Sequence, residues 1–361
     1  MVDTTHLLKI YFIVPYPHGE APSQRFRFEQ YYAALSARGF TFYTSPFLDH
    51  DTWHILYKPG HTLKKIMGIA RGFGRRCLDL LRVLGYDFVF IHREASPIGP
   101  PIFEWLISKI LRKKIIYDFD DAIWLSNTST HNQIAAALKW HGKVASICRW
   151  SWRISCGNDY LADYARRYND RVVVNPTTID TEHLHNQVKD QHTDRIVIGW
   201  TGTHSTAQYL DHIIPILMRL EQQYDFIFMV ISNRELKTNL RSMRYRHWNK
   251  ETEIADLLQF NIGLMPLTDD PWARGKCGFK ALQYMSLGIP ALVSPVGVNL
   301  KIVDAHDNGM ICATDADWEH AIVTYLADAD QRIRAGRAAR QKIEAQYSVM
   351  SNTPNFIALF S

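Results

Sequence analysis

The sequence predicts an α/β protein made of two doubly wound parallel sheets, each in a domain of its own. With 361 residues, the chain is longer than one ordinary hydrophobic core accommodates. Short apolar runs alternate with amphipathic stretches along the whole chain, which is typical of parallel sheets that carry helices on both faces. The runs are apolar at successive positions, as expected of strands that are buried on both sides.

The apolar runs predict five strands in the first half of the chain and four in the second. The first five are residues 8–14, 88–92, 115–117, 153–156 and 172–174. The next four are residues 196–200, 226–231, 262–265 and 290–294. Amphipathic spacing predicts helices between them over residues 25–38, 133–147, 207–222 and 279–287.

A polar segment at residues 175–193, which contains Pro176, has the composition of a linker between the two halves. We therefore expect domains at residues 1–180 and 190–346, with residues 347–361 as a closing segment that crosses back to the first domain. Doubly wound sheets bind their ligands at the carboxyl ends of the strands. The two domains are accordingly expected to face a central cleft that these ends line.

The composition is that of an ordinary globular enzyme, with 47% hydrophobic and 21% charged residues. The five cysteines form no CxxC pair, which favours reduced thiols in a cytosolic protein. No apolar stretch approaches the roughly 20 residues of a membrane span. The amino terminus also lacks a signal-peptide pattern. A cytoplasmic location is expected.

The net charge of +5 predicts a preference for anionic ligands. Residues 58–82 interleave lysines and arginines with apolar residues at loosely helical spacing. Such a basic amphipathic helix is able to lie on an anionic membrane surface, so the protein is a candidate peripheral protein of the inner membrane face. The alternative is a solvated helix that packs its other side on the core. No recognition helix or nucleic-acid motif is present, so nucleic acid is not an expected partner.

The stretch RGKCGFKALQYMSLGIPALVSPVG, residues 274–297, is the most informative part of the sequence. Arg274, Lys276 and Lys280 cluster where a helix is predicted to begin, near Gly278. Cations at a helix amino terminus oppose the helix dipole and are slightly unfavourable there. They are explained if an anion is bound by the ammonium groups together with the backbone N–H groups. The alternative is a set of surface cations without a ligand.

This stretch resembles the nucleotide-sugar signature of GT-B glycosyltransferases, particularly the retaining family four type. In that family, a helix carries two glutamates separated by seven residues and is followed by a turn of small residues and a strand. Gln283 falls at the second glutamate, which binds the nucleotide ribose, and Gly275 falls at the first. The resemblance implies a GT-B fold of two Rossmann-like domains and a nucleotide-diphosphate-sugar donor that contacts Arg274, Gly278 and Gln283.

Three further segments are similar to that family and occur in the expected order. Residues 172–184 resemble the end of its first domain, and residues 261–272 resemble the strand and loop that lead into its donor site. IGWTGTHST, residues 198–206, resembles the glycine loop of its second domain. The small and hydroxyl-bearing residues Gly202, Thr203 and Ser205 are therefore expected to approach the donor diphosphate.

The first half has no GxGxxG loop, which argues against a nicotinamide-dependent enzyme. Arg25 and Arg27 lie near the start of a predicted helix, where an anion is able to bind, with ordinary surface arginines as the alternative. Arg93 follows a predicted strand and is a candidate for the cleft, with a structural salt bridge as the alternative. These three residues are assigned to the acceptor side.

The segment YDFDDAIW, residues 117–124, contains an Asp-x-Asp pattern, Asp118–Asp120, which holds a divalent metal in GT-A glycosyltransferases. The cations of the second half would neutralise the diphosphate instead, so no metal and no cofactor are expected. By the resemblance, Asp120 and Asp121 fall on a His-Asp pair close to the transferred sugar. Asp120 would orient that sugar or offset its positive charge, and Trp124 would stack on a sugar or acceptor. Helix capping by the aspartates is the alternative.

Together these observations predict a glycosyltransferase that transfers a sugar with retention to a saccharide or lipid-linked acceptor. Lys276, Lys280 and Asp120 are the expected catalytic residues. The usual setting of the family is the assembly of cell-surface polysaccharide, lipopolysaccharide or glycolipid. Two alternatives stay open: a GT-B nucleotide-sugar epimerase, and a non-catalytic nucleotide-sugar-binding protein.

Overall fold

The computed structural model describes residues 7–56, 58–125 and 140–361. These residues form two compact units. One unit extends to Thr177 and also includes Thr353–Ser361, and the other comprises Thr178–Asn352. Each unit contains a six-stranded parallel sheet with helices around it. The predicted α/β class with two doubly wound sheets is confirmed.

The sheet of the first unit has the strand order β2-β1-β3-β4-β5-β6, with every pairing parallel. Its strands are β1 Lys9–Val14, β2 Thr41–Pro46, β3 Phe88–His92, β4 Lys114–Phe119, β5 Arg153–Cys156 and β6 Val172–Val174. Strand β2 was not predicted from the sequence. This strand lies at the edge of the sheet and alternates between exposed and less exposed side chains, so it lacks the continuous apolar run of a central strand.

The helices of the first unit are α1 Pro22–Arg25, α2 Tyr32–Ala37, α3 His50–Leu56, α4 Thr62–Arg82, α5 Ile102–Trp105, α6 Lys143–Trp150 and α7 Asp159–Arg166. The single helix predicted over residues 25–38 is interrupted, because Phe28 has a non-helical φ of −142° and a 3-10 turn separates α1 from α2. Part of the helix predicted over residues 133–147 lies outside the described residues. The basic helix predicted within residues 58–82 is present as α4.

The sheet of the second unit has the strand order β12-β11-β10-β7-β8-β9, also parallel throughout. Its strands are β7 Ile196–Gly202, β8 Phe226–Ser232, β9 Met243–His247, β10 Ile262–Met265, β11 Ala291–Val293 and β12 Gly309–Ile311. The two edge strands were not predicted from the sequence, β9 because it is largely exposed and basic, and β12 because it has three residues. The strand order reverses between β7 and β10, which makes this point the switch at which such sheets bind ligands.

The helices that follow are α8 Ile213–Leu220, α9 Glu253–Leu257, α10 Pro271–Arg274, α11 Phe279–Ser286, α12 Asn299–Ile302, α13 Asp315–Ala327, α14 Ala329–Lys342 and α15 Val349–Ile357. Helix α11 agrees with the predicted helix within one residue. The last part of α15 belongs to the first unit, where Phe356 stacks on Tyr31 with ring centroids 4.3 Å apart. Among the described residues, every helix is too short or too polar to cross a membrane.

Candidate functional site

At the switch point of the second sheet, Tyr284, a fully buried residue of α11, bridges the two strands. Strands β7 and β10 are paired in register at Ile198–Ile262 and Gly199–Gly263. Just beyond these pairs, the Tyr284 hydroxyl accepts a hydrogen bond from the Thr201 amide at 2.9 Å and donates one to the Leu264 carbonyl at 3.4 Å. Burial raises the pKa of Tyr284, so the hydroxyl keeps the proton that it donates. Helix α11 is thereby anchored between the carboxyl ends of the two strands.

Strand β7 ends at Gly202, and only glycine fits there. A Cβ atom at this position would lie 2.5 Å from the Trp200 ring and 2.7 Å from the Thr206 hydroxyl. The exposed Thr203 and Ser205 follow, with their hydroxyl oxygens 2.8 Å apart. The structure thus places all three predicted loop residues together, with two hydroxyl groups facing solvent.

The amino terminus of α11 contacts the same tryptophan. Gly278 precedes the helix with a left-handed φ of 71°, and a Cβ atom there would lie 2.1 Å from the Ile302 side chain. The Nζ atom of Lys280, in the first turn, lies 5.7 Å from the centroid of the Trp200 ring. Because Gly202 packs against that ring as well, the predicted ammonium group and the predicted glycine loop meet at Trp200.

The other predicted donor-side residues are near α11 in sequence but contact different partners. The Nζ atom of Lys276 lies 5.6 Å from the centroid of the Trp272 ring. Arg274 binds the Asp269 carboxylate through two hydrogen bonds, of 2.7 and 2.9 Å, and this contact lowers the pKa of Asp269. Both members of this ion pair are about half exposed, so water and ligands have access to them.

Gln283, predicted to bind the ribose, is 2% exposed. Its amide donates a hydrogen bond of 3.3 Å to Glu253, a buried residue at the start of α9. The structure therefore places a carboxylate from another helix beside the position where the family signature has a glutamate of its own. The sequence gives no sign of this, because Glu253 is 30 residues from Gln283.

In the first unit, Asp118 is the centre of a buried cluster. Its carboxylate binds Arg27 through an ion pair, His92 at 2.8 Å and the Ser155 hydroxyl at 2.7 Å. Burial by itself raises the pKa of Asp118, but Arg27 and His92 outweigh burial and lower the pKa. Arg27 is 1% exposed and also donates to the Asn175 carbonyl, so it lies in the core and not at the surface position that an acceptor contact requires.

Asp120 and Asp121 turn toward Arg93 instead. One guanidinium nitrogen of Arg93 lies 2.7 Å from Asp120 and 2.6 Å from Asp121. Burial lowers the pKa of Arg93, yet the two carboxylates outweigh it and raise the pKa well above the ordinary value. Arg93 has a left-handed φ of 60°, and its carbonyl accepts a hydrogen bond of 2.7 Å from the Tyr117 hydroxyl. The predicted residues Arg93 and Asp120 therefore form one partly exposed cluster.

Two predicted acceptor-side residues are engaged with aromatic neighbours. Trp124 is stacked on Tyr164, with ring centroids 3.8 Å apart and planes 3° apart. Tyr164 therefore covers one face of the indole that was predicted to stack on a sugar. The guanidinium carbon of Arg25 lies 5.0 Å from the centroid of the Phe26 ring.

Trp200, Tyr284 and Glu253, which lie beside the predicted donor-side residues, were not predicted from the sequence. Trp200 lies in an apolar strand and Tyr284 lies within a helix, so both resemble ordinary core residues in the sequence. A signal was present for Trp200, because it stands two residues before Gly202 in the glycine loop. No comparable signal existed for Glu253.

No protein-family model and no curated protein sequence matches this chain. Solved structures are similar to it along almost its entire length. Sucrose-phosphate synthase from Thermosynechococcus elongatus has a TM-score of 0.69 at 12% identity, covering 98% of each chain. The catalytic domain of starch synthase IV from Arabidopsis thaliana, bound to ADP and acarbose, has a TM-score of 0.68 at 10% identity, again covering 98% of each chain.

A third solved structure, HepE from Anabaena in complex with UDP, has a TM-score of 0.63 at 12% identity. The similarity covers 97% of this chain and 99% of the HepE chain. At these identities the similarity concerns the fold. The fold is that of the GT-B glycosyltransferases, as the sequence resemblance predicted.

Proposed function

We propose that the chain is a glycosyltransferase that moves a sugar from a nucleotide-diphosphate donor to an acceptor hydroxyl, with retention and without a metal ion. The observation that carries this proposal is the meeting of Lys280 and the Gly202 loop at Trp200, at the switch point of the second sheet. Two structural relatives solved with UDP or ADP support a nucleotide as the donor's leaving group.

The proposed mechanism rests on charge. Cleavage of the bond between the sugar and the diphosphate leaves negative charge on the departing oxygens. Lys280, Lys276 and the backbone N–H groups that open α11 would stabilise this charge, and preorganised groups of this kind contribute a few kcal/mol each. Gly202, Thr203 and Ser205 would bind the diphosphate, Arg274 would contribute further positive charge, and Gln283 beside Glu253 would recognise the ribose.

In the first unit, Asp120 is the proposed carboxylate for the positive charge that develops on the sugar ring. Arg93 holds this carboxylate in one orientation through the contact of 2.7 Å. Arg25 and Trp124 are the proposed acceptor contacts. Because Arg27 is buried against Asp118, its proposed part is to position the strand end that carries the aspartates.

The pathway proposed is the assembly of cell-surface polysaccharide, lipopolysaccharide or glycolipid, by a cytoplasmic protein attached to the inner membrane face. Helix α4 supports membrane attachment. Leu63, Ile66 and Met67 lie on one side of its first two turns and are 71%, 58% and 55% exposed, next to Lys64 and Lys65. Exposed apolar side chains beside lysines suit an anionic lipid surface.

The test of the donor site compares Lys280→Ala with Lys237→Ala, a change at an exposed lysine in the loop after β8. UDP, ADP, GDP and their glucose conjugates are first screened by thermal shift against the wild-type protein. Turnover of the donor that binds is then measured with a saccharide acceptor. We expect Lys280→Ala to lose roughly 100-fold or more in kcat, with an unchanged melting temperature, and Lys237→Ala to behave as wild type.

The products of the same assay separate the alternatives. A glycosylated acceptor whose anomeric configuration by NMR matches that of the donor supports a retaining transferase. An epimerised sugar nucleotide formed without acceptor would identify an epimerase. If the donor binds but is neither transferred nor slowly hydrolysed, the chain is a non-catalytic binding protein. Equal turnover in Lys280→Ala and Lys237→Ala would remove the donor-site assignment.

A further inference from the structure

Three side chains of metal-binding types converge in the first unit, outside the residues discussed so far. His50 and His54 lie on α3, and Glu20 lies in the loop after β1. One ligand atom from each residue lies within 4.8 Å of the corresponding atoms of the other two. All three side chains are reachable from solvent, since both histidines are exposed and the Glu20 side chain is 25% exposed.

The local structure fixes the two imidazoles on one face. Residues four apart on a helix are neighbours, so His50 and His54 project from the same side of α3. Asp49 caps the start of that helix, accepting hydrogen bonds from the Thr52 amide at 2.9 Å and the Thr52 hydroxyl at 2.6 Å. Asp49 also pairs with Arg71 of α4 at 3.1 Å, which holds α3 against the longer helix.

The carboxylate is oriented by a neighbour of the histidines. Trp53 donates a hydrogen bond of 3.2 Å from its indole nitrogen to one oxygen of Glu20. The other oxygen lies 3.4 Å from Nδ1 of His50. The Trp53 ring packs against Tyr16, with centroids 4.8 Å apart, so the loop that carries Glu20 is attached to α3 on two sides.

We infer that Glu20, His50 and His54 bind a divalent transition-metal ion of the zinc class. Two ligand atoms that are each about 2.1 Å from a tetrahedral ion lie about 3.4 Å apart. The distance between Nδ1 of His50 and the carboxylate oxygen of Glu20 is already 3.4 Å. Two imidazoles and one carboxylate form a known ligand set for zinc, with water in the fourth position, and imidazole favours zinc, nickel, cobalt and copper over magnesium and calcium.

A simple salt bridge between His50 and Glu20 does not account for the whole arrangement. That bridge needs one imidazole, whereas His54 brings a second to the same place. The hydrogen bond from Trp53 to the carboxylate is the kind of outer contact that orients a ligand for a metal. The ion would link the loop after β1 to α3, and this inference is independent of the proposed donor site, which lies in the other unit.

The experiment uses the full chain, with any purification tag removed, after treatment with chelator. Zinc is titrated by calorimetry, and cobalt is titrated with detection of the visible absorption of a tetrahedral site. We expect one ion per chain, a roughly 100-fold weaker affinity in His50→Ala/His54→Ala, and a roughly 10-fold weaker affinity in Trp53→Phe, which keeps all three ligands. Saturating zinc should raise the melting temperature of the wild-type protein by roughly 5 °C.

The matched control is His320→Ala, which removes an exposed histidine from α13 in the other unit. It should bind zinc as the wild-type protein does. Equal zinc affinity in the wild-type protein and in His50→Ala/His54→Ala would overturn the inference, as would a loss of affinity in His320→Ala of the same size. Melting temperatures measured without zinc show whether each variant is folded, so a loss of binding is separated from a loss of structure.

Discussion

Asp118 and Asp120 are two residues apart, yet they have different surroundings. Asp118 is within β4, and its buried carboxylate is shared among Arg27, His92 and Ser155. Strand β4 ends at Phe119, so Asp120 lies just outside the strand. Its carboxylate contacts Arg93, and both side chains are partly exposed. One short motif thus combines a buried anchor with a candidate catalytic group.

Removing the charge of Asp118 should destabilise the first unit. We expect Asp118→Asn to lower the free energy of unfolding by about 3–5 kcal/mol, because Arg27 would remain buried without its counter-ion. Urea denaturation measures the change. The control is Asp163→Asn, which breaks the exposed pair between Asp163 and Arg166 and should cost less than about 1 kcal/mol. Similar losses in both variants would contradict the assignment of Asp118 as a structural anchor.

The lowered pKa of Asp118 also sets the direction of a pH effect. Its folded-state pKa lies below the unfolded value of about 3.9. The stabilisation it gives is therefore fully present above the unfolded value and is lost as the pH falls through the folded one. The difference in stability between the wild-type protein and Asp118→Asn should accordingly shrink in that acidic window. A difference that grows on acidification would contradict this linkage.

At the level of single residues, the sequence predicted which groups lie together near the start of α11 better than it predicted the burial of individual side chains. Lys280 and Gly202 meet at Trp200, and this was predictable because the stretches that carry them resemble parts of one nucleotide-sugar site. The burial of Arg27 was not predictable, since its partner Asp118 is 91 residues away in the chain. The pairing of Gln283 with Glu253 escaped prediction for the same reason.

At the level of elements, central strands were predictable and interrupted helices were not. Strands β3, β5 and β10 have the predicted bounds, because burial on both faces makes most of their positions apolar. The residues predicted as one helix from 25 to 38 pack Phe26 and Phe28 into the core. Their apolar spacing is compatible with a continuous helix, and only tertiary packing reveals the break at Phe28.

Helix α4 is the element that is proposed to bind an anionic membrane surface. We expect the wild-type protein to sediment with vesicles that contain phosphatidylglycerol and not with vesicles of phosphatidylcholine alone. Each basic residue near an anionic surface contributes about 1 kcal/mol, so Lys64→Glu/Lys65→Glu should bind at least roughly 10-fold more weakly. Leu63→Ser/Ile66→Ser should weaken binding as well, because it removes the exposed apolar side chains.

The control for charge is Arg234→Glu/Lys237→Glu, which makes the same change in exposed residues of the second unit. Its vesicle binding should equal that of the wild-type protein. If this variant lost binding as strongly as Lys64→Glu/Lys65→Glu, attraction by net charge would explain the result and α4 would have no special part.

At the scale of the whole molecule, the groups proposed for the two developing charges belong to different units. The cations proposed to bind the donor, Arg274, Lys276 and Lys280, belong to the second unit. The carboxylates of the YDFDDAIW segment belong to the first, where Arg27 and Arg93 hold them. Departing diphosphate needs positive charge and the sugar ring needs negative charge, so each proposed set of residues has the sign that its part of the reaction requires.

A chelator separates the donor chemistry from the inferred metal site. If Lys276 and Lys280 supply the charge that a divalent ion supplies in other enzymes, EDTA should leave kcat within about twofold of its value, since each preorganised cation already contributes a few kcal/mol. The same treatment should remove zinc from Glu20, His50 and His54 and lower the melting temperature by roughly 5 °C. Loss of turnover in EDTA, restored by magnesium in the wild-type protein and in His50→Ala/His54→Ala alike, would show that the donor needs a metal and would overturn the lysine-based mechanism.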